Sequence, residues 1–382
     1  MLRLETKAVH SGEPRPGIGR AVSLPIFQSS TFEYRGETRY DDILYLRLNN
    51  SPNHRAVSAK IAELEGGEAA MVTASGMAAI TTTLLTVLKP GTHLLAQAGL
   101  YGGTHDFVAH ELGRLGIEHD WIAGDDPDSW GRKVKQNTRA IYVESITNPL
   151  MEVPKLQEVV TFAREHSLVS LIDNTFATPV NFRPIEIGFD LVLHSATKYL
   201  NGHNDIVAGV LVGTRELVSE ITSRLNQLGG TLDPHACFLL DRGIKTLPLR
   251  VRHQNESALQ IARFLADHGA VDRVNYPGLE QSPGNATARS LFAGYGGMLS
   301  FEIKGDLGRV KSFFGRLRIP IVAPSLGGAE TLVIRPAVTS HVGLSAEERA
   351  AVGISDTLVR LSVGLEATAD LIEDLDEALR AD

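Results

Sequence analysis

The chain has a single cysteine, Cys237, in 382 residues, which excludes an internal disulfide and any zinc or iron–sulfur site built on several thiolates. No apolar run approaches the roughly 18 residues of a membrane span. The first residues, Met1-Leu2-Arg3-Leu4-Glu5-Thr6-Lys7, lack the apolar core of a signal peptide. There is no block of Lys or Arg. With 37 basic against 45 acidic residues and a formal charge of −8, neither nucleic acid nor an anionic membrane surface is an expected partner. No Gly-x-Gly-x-x-Gly joins a strand to a helix, and Walker, His-Glu-x-x-His and Gly-x-Ser-x-Gly motifs are missing. No two of the thirteen histidines lie three or four residues apart, as metal ligands on one helix face would, so no metal site is expected. What is there, 43 % hydrophobic and 21 % charged residues, suits a soluble cytoplasmic protein. The length suits a large domain plus a smaller one.

Residues 1–55 show no regular pattern. Gly, Pro and Arg cluster over 12–20, and polar and aromatic residues mix over 27–45. Such a segment cannot bury a core of its own, so it either wraps around something else or hangs as a loose arm. Over 56–245, short apolar strands alternate with helices. Strands are expected at 70–73, 93–96, 139–143, 168–172, 191–194 and 207–212, and helices at 57–64, 76–88 and 156–165. This alternation implies an α/β fold with a large, doubly wound, mostly parallel sheet covered on both faces. Ligands in such sheets sit at the carboxyl ends of the strands. Residues 246–382 read as a smaller α+β domain, with helices at 250–268, 307–317 and 371–379 and strands at 298–303 and 331–334.

The strand at 191–194 is followed by Ser195-Ala196-Thr197-Lys198-Tyr199-Leu200-Asn201-Gly202. A lysine just beyond a buried strand and flanked by hydroxyls fits poorly with solvated surface, although surface lysines after strands are common. Desolvated in a cleft, such an amine has a lowered pKa and forms a Schiff base with a carbonyl. Ser195 and Thr197 could bind a phosphate beside it. The strand at 168–172 runs into Asp173-Asn174-Thr175-Phe176-Ala177-Thr178-Pro179, where Asp173 either points into the ligand crevice or caps a turn. An aspartate and a Schiff-base lysine placed this way match pyridoxal 5′-phosphate (PLP), which needs an amine for its aldehyde and a carboxylate for its ring nitrogen. Thr73-Ala74-Ser75-Gly76-Met77-Ala78 links a strand to a helix, and Gly76 lets the backbone approach an anion at that helix's N-terminus. In Leu100-Tyr101-Gly102-Gly103-Thr104, Tyr101 stacks on a ring and moves a proton, or simply packs.

Taken jointly, Ser-Gly-Met, Tyr-Gly-Gly-Thr, Glu-Ser-Ile-Thr-Asn-Pro, Asp-Asn-Thr-Phe-Ala-Thr-Pro and His-Ser-Ala-Thr-Lys-Tyr-Leu-Asn-Gly-His resemble, in order and over almost the whole chain, the Cys/Met-metabolism (transsulfuration) family of PLP enzymes. That family holds cystathionine γ-synthase, the cystathionine β- and γ-lyases, methionine γ-lyase and the homoserine sulfhydrylases. Segments 228–234, 242–247 and 319–328 look most like the γ-synthases. The resemblance implies a fold-type I PLP enzyme with the cofactor held as a Schiff base on Lys198. It puts Asp173 on the ring nitrogen and makes Tyr101 the stacking, proton-handling residue. Gly76, Met77, Ser195 and Thr197 become phosphate ligands, and Asn148 lies near the phenolic oxygen and the substrate. Arg360 matches the arginine that grips the substrate α-carboxylate, and Ser325 the residue that orients the cofactor lysine and that carboxylate. Tyr45 and Arg47 match a pair that reaches a neighbouring subunit's phosphate, which implies a homotetramer, a dimer of dimers with shared sites. The N-terminal arm then serves another protomer. The implied activity is γ-replacement or β/γ-elimination on a sulfur amino acid or an activated homoserine.

The chain departs from the family where the substrate's far end is read. Around Tyr45 it is one residue longer before the proline than the usual Tyr-Ser-Arg-x-x-Asn-Pro-Thr. Leu48 and Asp106 stand where members carry arginines, Pro324 where many carry a glutamate, and Gly103 where methionine γ-lyases carry a cysteine. The cofactor groups are intact. Lost cations weaken the case for a distal carboxylate.

Overall fold

Strands that are apolar on both faces are stable only between two layers, and these sequences build such a layer. In the computed structural model, which describes residues 2–339, 347, 349 and 353–380, the strands β1 (Ala69–Thr73), β2 (His93–Gln97), β3 (Glu118–Ile122), β4 (Thr138–Glu144), β5 (Val169–Asp173), β6 (Leu191–His194) and β7 (Gly209–Gly213) form one sheet. Its order is β1-β7-β6-β5-β4-β2-β3. β2 to β6 run parallel, while β7 runs against both β1 and β6. Alternation splits the core in two. Ile141, Val143, Ile172 and Val192 pack with Val57, Ile61 and Leu64 of the Pro52–Glu65 helix. Tyr142, Leu171, Leu191 and Leu193 pack on the other face with Ile80 and Leu84 of the Gly76–Val87 helix and Leu225 of the Arg215–Leu228 helix.

A second, smaller sheet contains β8 (Val271–Asn275), β9 (Met298–Ile303), β10 (Ile321–Val322), β11 (Leu332–Ile334) and β12 (Leu358–Ser362), in the order β10-β11-β12-β9-β8. It shares a core with the helices Leu247–Asp267, Leu307–Arg316 and Thr368–Leu379. The architecture is the doubly wound α/β layer plus smaller α+β unit that the strand–helix alternation implies.

Some elements differ from the sequence expectation for physical reasons. β3, Glu-His-Asp-Trp-Ile, and β8, Val-Asp-Arg-Val-Asn, are too polar to read as buried strands because both lie at sheet edges. The strand expected from 207 begins at Gly209, since both backbone groups of Ala208 are taken by Thr197. The long helix starts at Leu247 rather than 250, because Pro248 sits in the first turn, where a missing N–H is harmless. Residues 1–55 are not wholly irregular. Leu4–His10 is a helix that lies on the Pro52–Glu65 helix, with Ala8 in the core. Beyond it, up to residue 51, the chain has short 3₁₀ turns and an isolated antiparallel bridge between Thr31 and Tyr45, with Val22, Tyr34 and Tyr40 exposed. Among the described residues, no helix is long and apolar enough to cross a membrane.

Candidate active site

The carboxyl end of the seven-stranded sheet collects most of the polar residues named above. Register between β4 and β5 sets Glu144 opposite Asp173, both buried and both on the Tyr142–Leu171 face. Asp173 Oδ1 accepts the Thr175 N–H at 2.9 Å and the Thr175 hydroxyl. Thr175 Oγ1 accepts the Ser195 N–H at 2.8 Å, so Asp173 is tied to the turn that carries Ser195, Thr197 and Lys198. Glu144 accepts the Tyr101 N–H at 2.7 Å and so fixes the start of the Tyr101 loop. Burial, with Asp173 alongside, pushes the Glu144 carboxyl well above the ordinary range. Burial also raises Asp173, but less, because both Thr175 bonds and the charge of His194 favour its ionised form.

The small residues permit close approach of three loops. A Cβ on Gly76 would lie 2.9 Å from Ser195 Cβ, so the start of the Gly76–Val87 helix is pressed against Ser195. Ser75 caps that helix by accepting the Ala78 N–H at 3.0 Å. A Cβ on Gly103 would lie 2.8 Å from Tyr101 Cε1 and 3.1 Å from Met77 Sδ, which brings Met77 and Tyr101 together. The Tyr101 ring is 46 % exposed, leaving it open to a ligand. The Thr197 hydroxyl donates to Ala208 O at 3.1 Å and accepts the Ala208 N–H at 3.0 Å, closing the loop from 197 to 208.

The smaller unit supplies the other wall. Lys198 Nζ donates to Ser325 Oγ at 2.9 Å. Arg360, on β12, donates from Nη2 to Ser325 O at 3.1 Å and from Nη1 to Asn148 Oδ1 at 3.0 Å. Ser325 makes these contacts from a backbone φ of +97°, a left-handed conformation that costs a non-glycine residue about 1–3 kcal/mol. Arg360 is buried, and its Nε–H has no partner among the described residues. A buried guanidinium with a free donor and, among the described residues, no carboxylate in contact is a site for an anion. Burial and the Arg360 charge bring Lys198 down to about 8, and burial brings Arg360 down to about 10, which leaves it a cation at neutral pH.

Not every named residue joins this cluster. Arg47 lies over the Tyr45 ring, 5.5 Å from its centroid, and donates to Asn226 O at 2.9 Å and to Tyr40 Oη at 2.6 Å. Tyr45 and Arg47 therefore lie with 40 and 226, apart from the contacts of Lys198. Leu48 is buried in the core, and Asp106 is exposed beside His105. Buried Cys237 has its thiol pushed up by burial and is inert. Sequence reading did not single out Glu144 or Thr175. The signal for both is their position, one ending the strand beside Asp173 and the other two residues beyond it.

The family model for Cys/Met metabolism PLP-dependent enzymes matches residues 5–380. A cystathionine β-lyase from Lactococcus lactis subsp. cremoris (strain MG1363) is 41 % identical over 380 residues, covering 99 % of this chain and 99 % of the relative. A cystathionine γ-lyase from Bacillus subtilis (strain 168) is 40 % identical over 379 residues, with 99 % of each covered. The crystal structure of a cystathionine γ-synthase from Xanthomonas oryzae pv. oryzae superposes with a TM-score of 0.95 at 37 % identity, over 99 % of this chain and 98 % of that one. With the motifs, the fold and the clustered strand ends in agreement, the chain belongs to the Cys/Met-metabolism family of PLP-dependent enzymes, the lyases and synthases of transsulfuration.

Proposed function

We propose that the chain carries out γ-replacement or β/γ-elimination on a sulfur amino acid or an activated homoserine, in the manner of a cystathionine γ-synthase or γ-lyase, with PLP held on Lys198. The observation that carries this reading is the contact chain from Lys198 through Ser325 and Arg360 to Asn148, which sets an amine of lowered pKa beside a buried anion-seeking guanidinium.

The residues fit the cofactor. Asp173, a buried carboxylate with no cation in direct contact among the described residues, would face the ring nitrogen, and Tyr101 would cover the ring. Gly76, Met77, Ser195 and Thr197 would hold the phosphate, where a side chain on Gly76 would collide with Ser195. Asn148 would lie by the phenolic oxygen. Bound PLP supplies an electron sink for negative charge developing at the substrate α-carbon. Arg360 grips the substrate α-carboxylate through Nε–H and the remaining Nη protons. Ser325 orients Lys198 Nζ, which takes the α-proton and carries it toward the γ-carbon. A pKa of about 8 makes that amine an effective base and acid near neutral pH. The Tyr101 hydroxyl passes a proton to the departing group. Tyr45 and Arg47 complete the phosphate site of a neighbouring subunit in a cytoplasmic homotetramer. The working division is an arm at 1–55, a PLP-binding unit at 56–245 and a C-terminal unit at 246–382.

The relatives act at different carbons, so the products decide between readings. One panel of cystathionine, methionine, cysteine and acylated homoserines, with and without added cysteine, is scored for keto acid, free thiol and new thioether. Action at the γ-carbon gives 2-oxobutyrate and cysteine from cystathionine, or a thioether from an acylated homoserine and cysteine. Pyruvate and homocysteine from cystathionine would instead support the β-lyase reading, which the Lactococcus relative favours. No turnover of any member, in a protein that carries PLP fixed to Lys198 by borohydride, overturns both.

A further inference from the structure

At the carboxyl end of the large sheet, on the face turned away from Asp173, three polar side chains are sealed among apolar ones. Glu65 ends the Pro52–Glu65 helix, Asn174 follows β5, and His194 ends β6. Glu65 and Asn174 are 0 % exposed and His194 2 %. His194 Nε2 lies 2.6 Å from Glu65 Oε1. Asn174 Nδ2 donates to the same oxygen at 3.2 Å and to Phe182 O at 2.8 Å. Glu65 Oε2, His194 Nδ1 and Asn174 Oδ1 have no partner among the described residues. Apolar side chains would fill such a place at lower cost, so a buried polar triad here points to a task other than stability. The triad takes no part in the chemistry described above.

We propose that Glu65, His194 and Asn174 are positioning residues: they clamp the ends of β5 and β6 together and hold an imidazolium behind Asp173, fixing the carboxylate that faces the cofactor ring. This rests on the cofactor role of Asp173 proposed above. The clamp reaches the site through short steps. The Asn174 N–H donates to Leu193 O at 2.8 Å, and the Ser195 N–H donates to Thr175 Oγ1, which is bonded to Asp173. A slip of His194 against Glu65 therefore moves Ser195 and Asp173 together. The His194 ring and the Asn174 amide both face one carboxylate oxygen of Glu65. The fields at Asp173 then oppose one another. Glu144 and the phenol Tyr142 face it from β4, where a negative Glu144 opposes ionisation, while Thr175 and the His194 cation, from β6, favour it. An ionised Asp173 keeps a proton on the ring nitrogen, so the triad governs how strongly the site draws electrons.

The test uses holoenzyme loaded with PLP labelled with ¹⁵N at the ring nitrogen, read by NMR from pH 6 to 10. His194→Gln keeps one hydrogen bond to Glu65 without the charge. Glu65→Gln keeps the shape and removes the anion that holds the imidazolium. Each is expected to move the pH at which the ring nitrogen loses its proton down by at least one unit, a tenfold loss of proton affinity, with kcat falling more than KM rises. Titrations of both variants that overlay the wild type's overturn the clamp, even if the variants melt earlier. Should one variant not fold, the other decides. Asp173→Asn, run beside them, is expected to leave the nitrogen unprotonated throughout. If it titrates as wild type does, the cofactor role of Asp173 fails instead.

Discussion

The charge state of Lys198 in the cofactor-free protein gives the sharpest test of how the site is built. Burial and Arg360 bring its amine from the ordinary 10.5 down to about 8. At about 1.4 kcal/mol per tenfold in proton affinity this weighs about 3 kcal/mol against the charged form. Because part of the side chain reaches solvent, the realised penalty is about 2–3 kcal/mol. Below pH 8 the amine is charged in both folded and unfolded chains, and the folded chain bears the whole penalty. Between pH 8 and 10.5 the folded amine sheds its proton while the unfolded one keeps it, so stability rises with pH across that window. Lys198→Met keeps the aliphatic stem, removes the titration, and loses one hydrogen bond to Ser325, about 1 kcal/mol. Cofactor-free Lys198→Met is therefore expected to be more stable than cofactor-free wild type by about 1–2 kcal/mol at pH 7, with the gain gone by pH 10. Urea unfolding of both proteins at pH 7, 8, 9 and 10, at one fixed protein concentration, measures this difference. A difference that does not change with pH, or a wild type already more stable at pH 7, would refute the reasoning.

Three further outcomes are expected. Arg360→Lys cannot hold Asn148 and Ser325 while also offering a planar fork, so KM should rise about 100-fold, about 3 kcal/mol, with the visible cofactor band retained. An unchanged KM would remove Arg360 from carboxylate binding. Gly103→Ala puts a methyl group 2.8 Å from the Tyr101 ring, which must tilt or slide. The circular dichroism of the cofactor band should change and kcat should drop about tenfold by loss of alignment, and a silent substitution would show that the ring has room to move. Arg47→Ala should weaken PLP retention, and mixing it with Lys198→Ala should recover activity in hybrid assemblies. No recovery after subunit exchange argues against shared sites.

How much of this was legible before the structure depends on what each residue does locally. Asp173 stood out because it ends an apolar strand, and Lys198 because it follows one closely among hydroxyls, patterns visible in one dimension. Glu144 does the same at the end of β4, yet its use appears only when β4 and β5 are set side by side and the Tyr101 N–H arrives from a third strand's loop. Arg360 sits within an apolar strand, where its neighbours indicate burial but not a ligand. Its task came from the family resemblance, and its meeting with Ser325 and Asn148 is what the structure adds. Edge strands such as β3 escaped because one solvated side erases the apolar signal, and the Leu4–His10 helix is too short for periodicity to register. The Glu65–His194 pair was invisible for a different reason. A glutamate before Gly66-Gly67 reads as an exposed helix end until the sheet closes over it.

The position of Arg360 on β12 has a consequence for how the enzyme comes into being. The guanidinium reaches Asn148 across 212 positions of chain, and Ser325 reaches Lys198 across 127. β12 is also the central strand of its sheet, bonded to β11 on one side and β9 on the other. During synthesis from the N-terminus, the lysine loop and the sheet that bears it are made long before either contact exists. The emerging chain carries an amine with neither its serine anchor nor its cationic neighbour. The setting of the amine is therefore completed late, when β12 slots into the middle of its sheet.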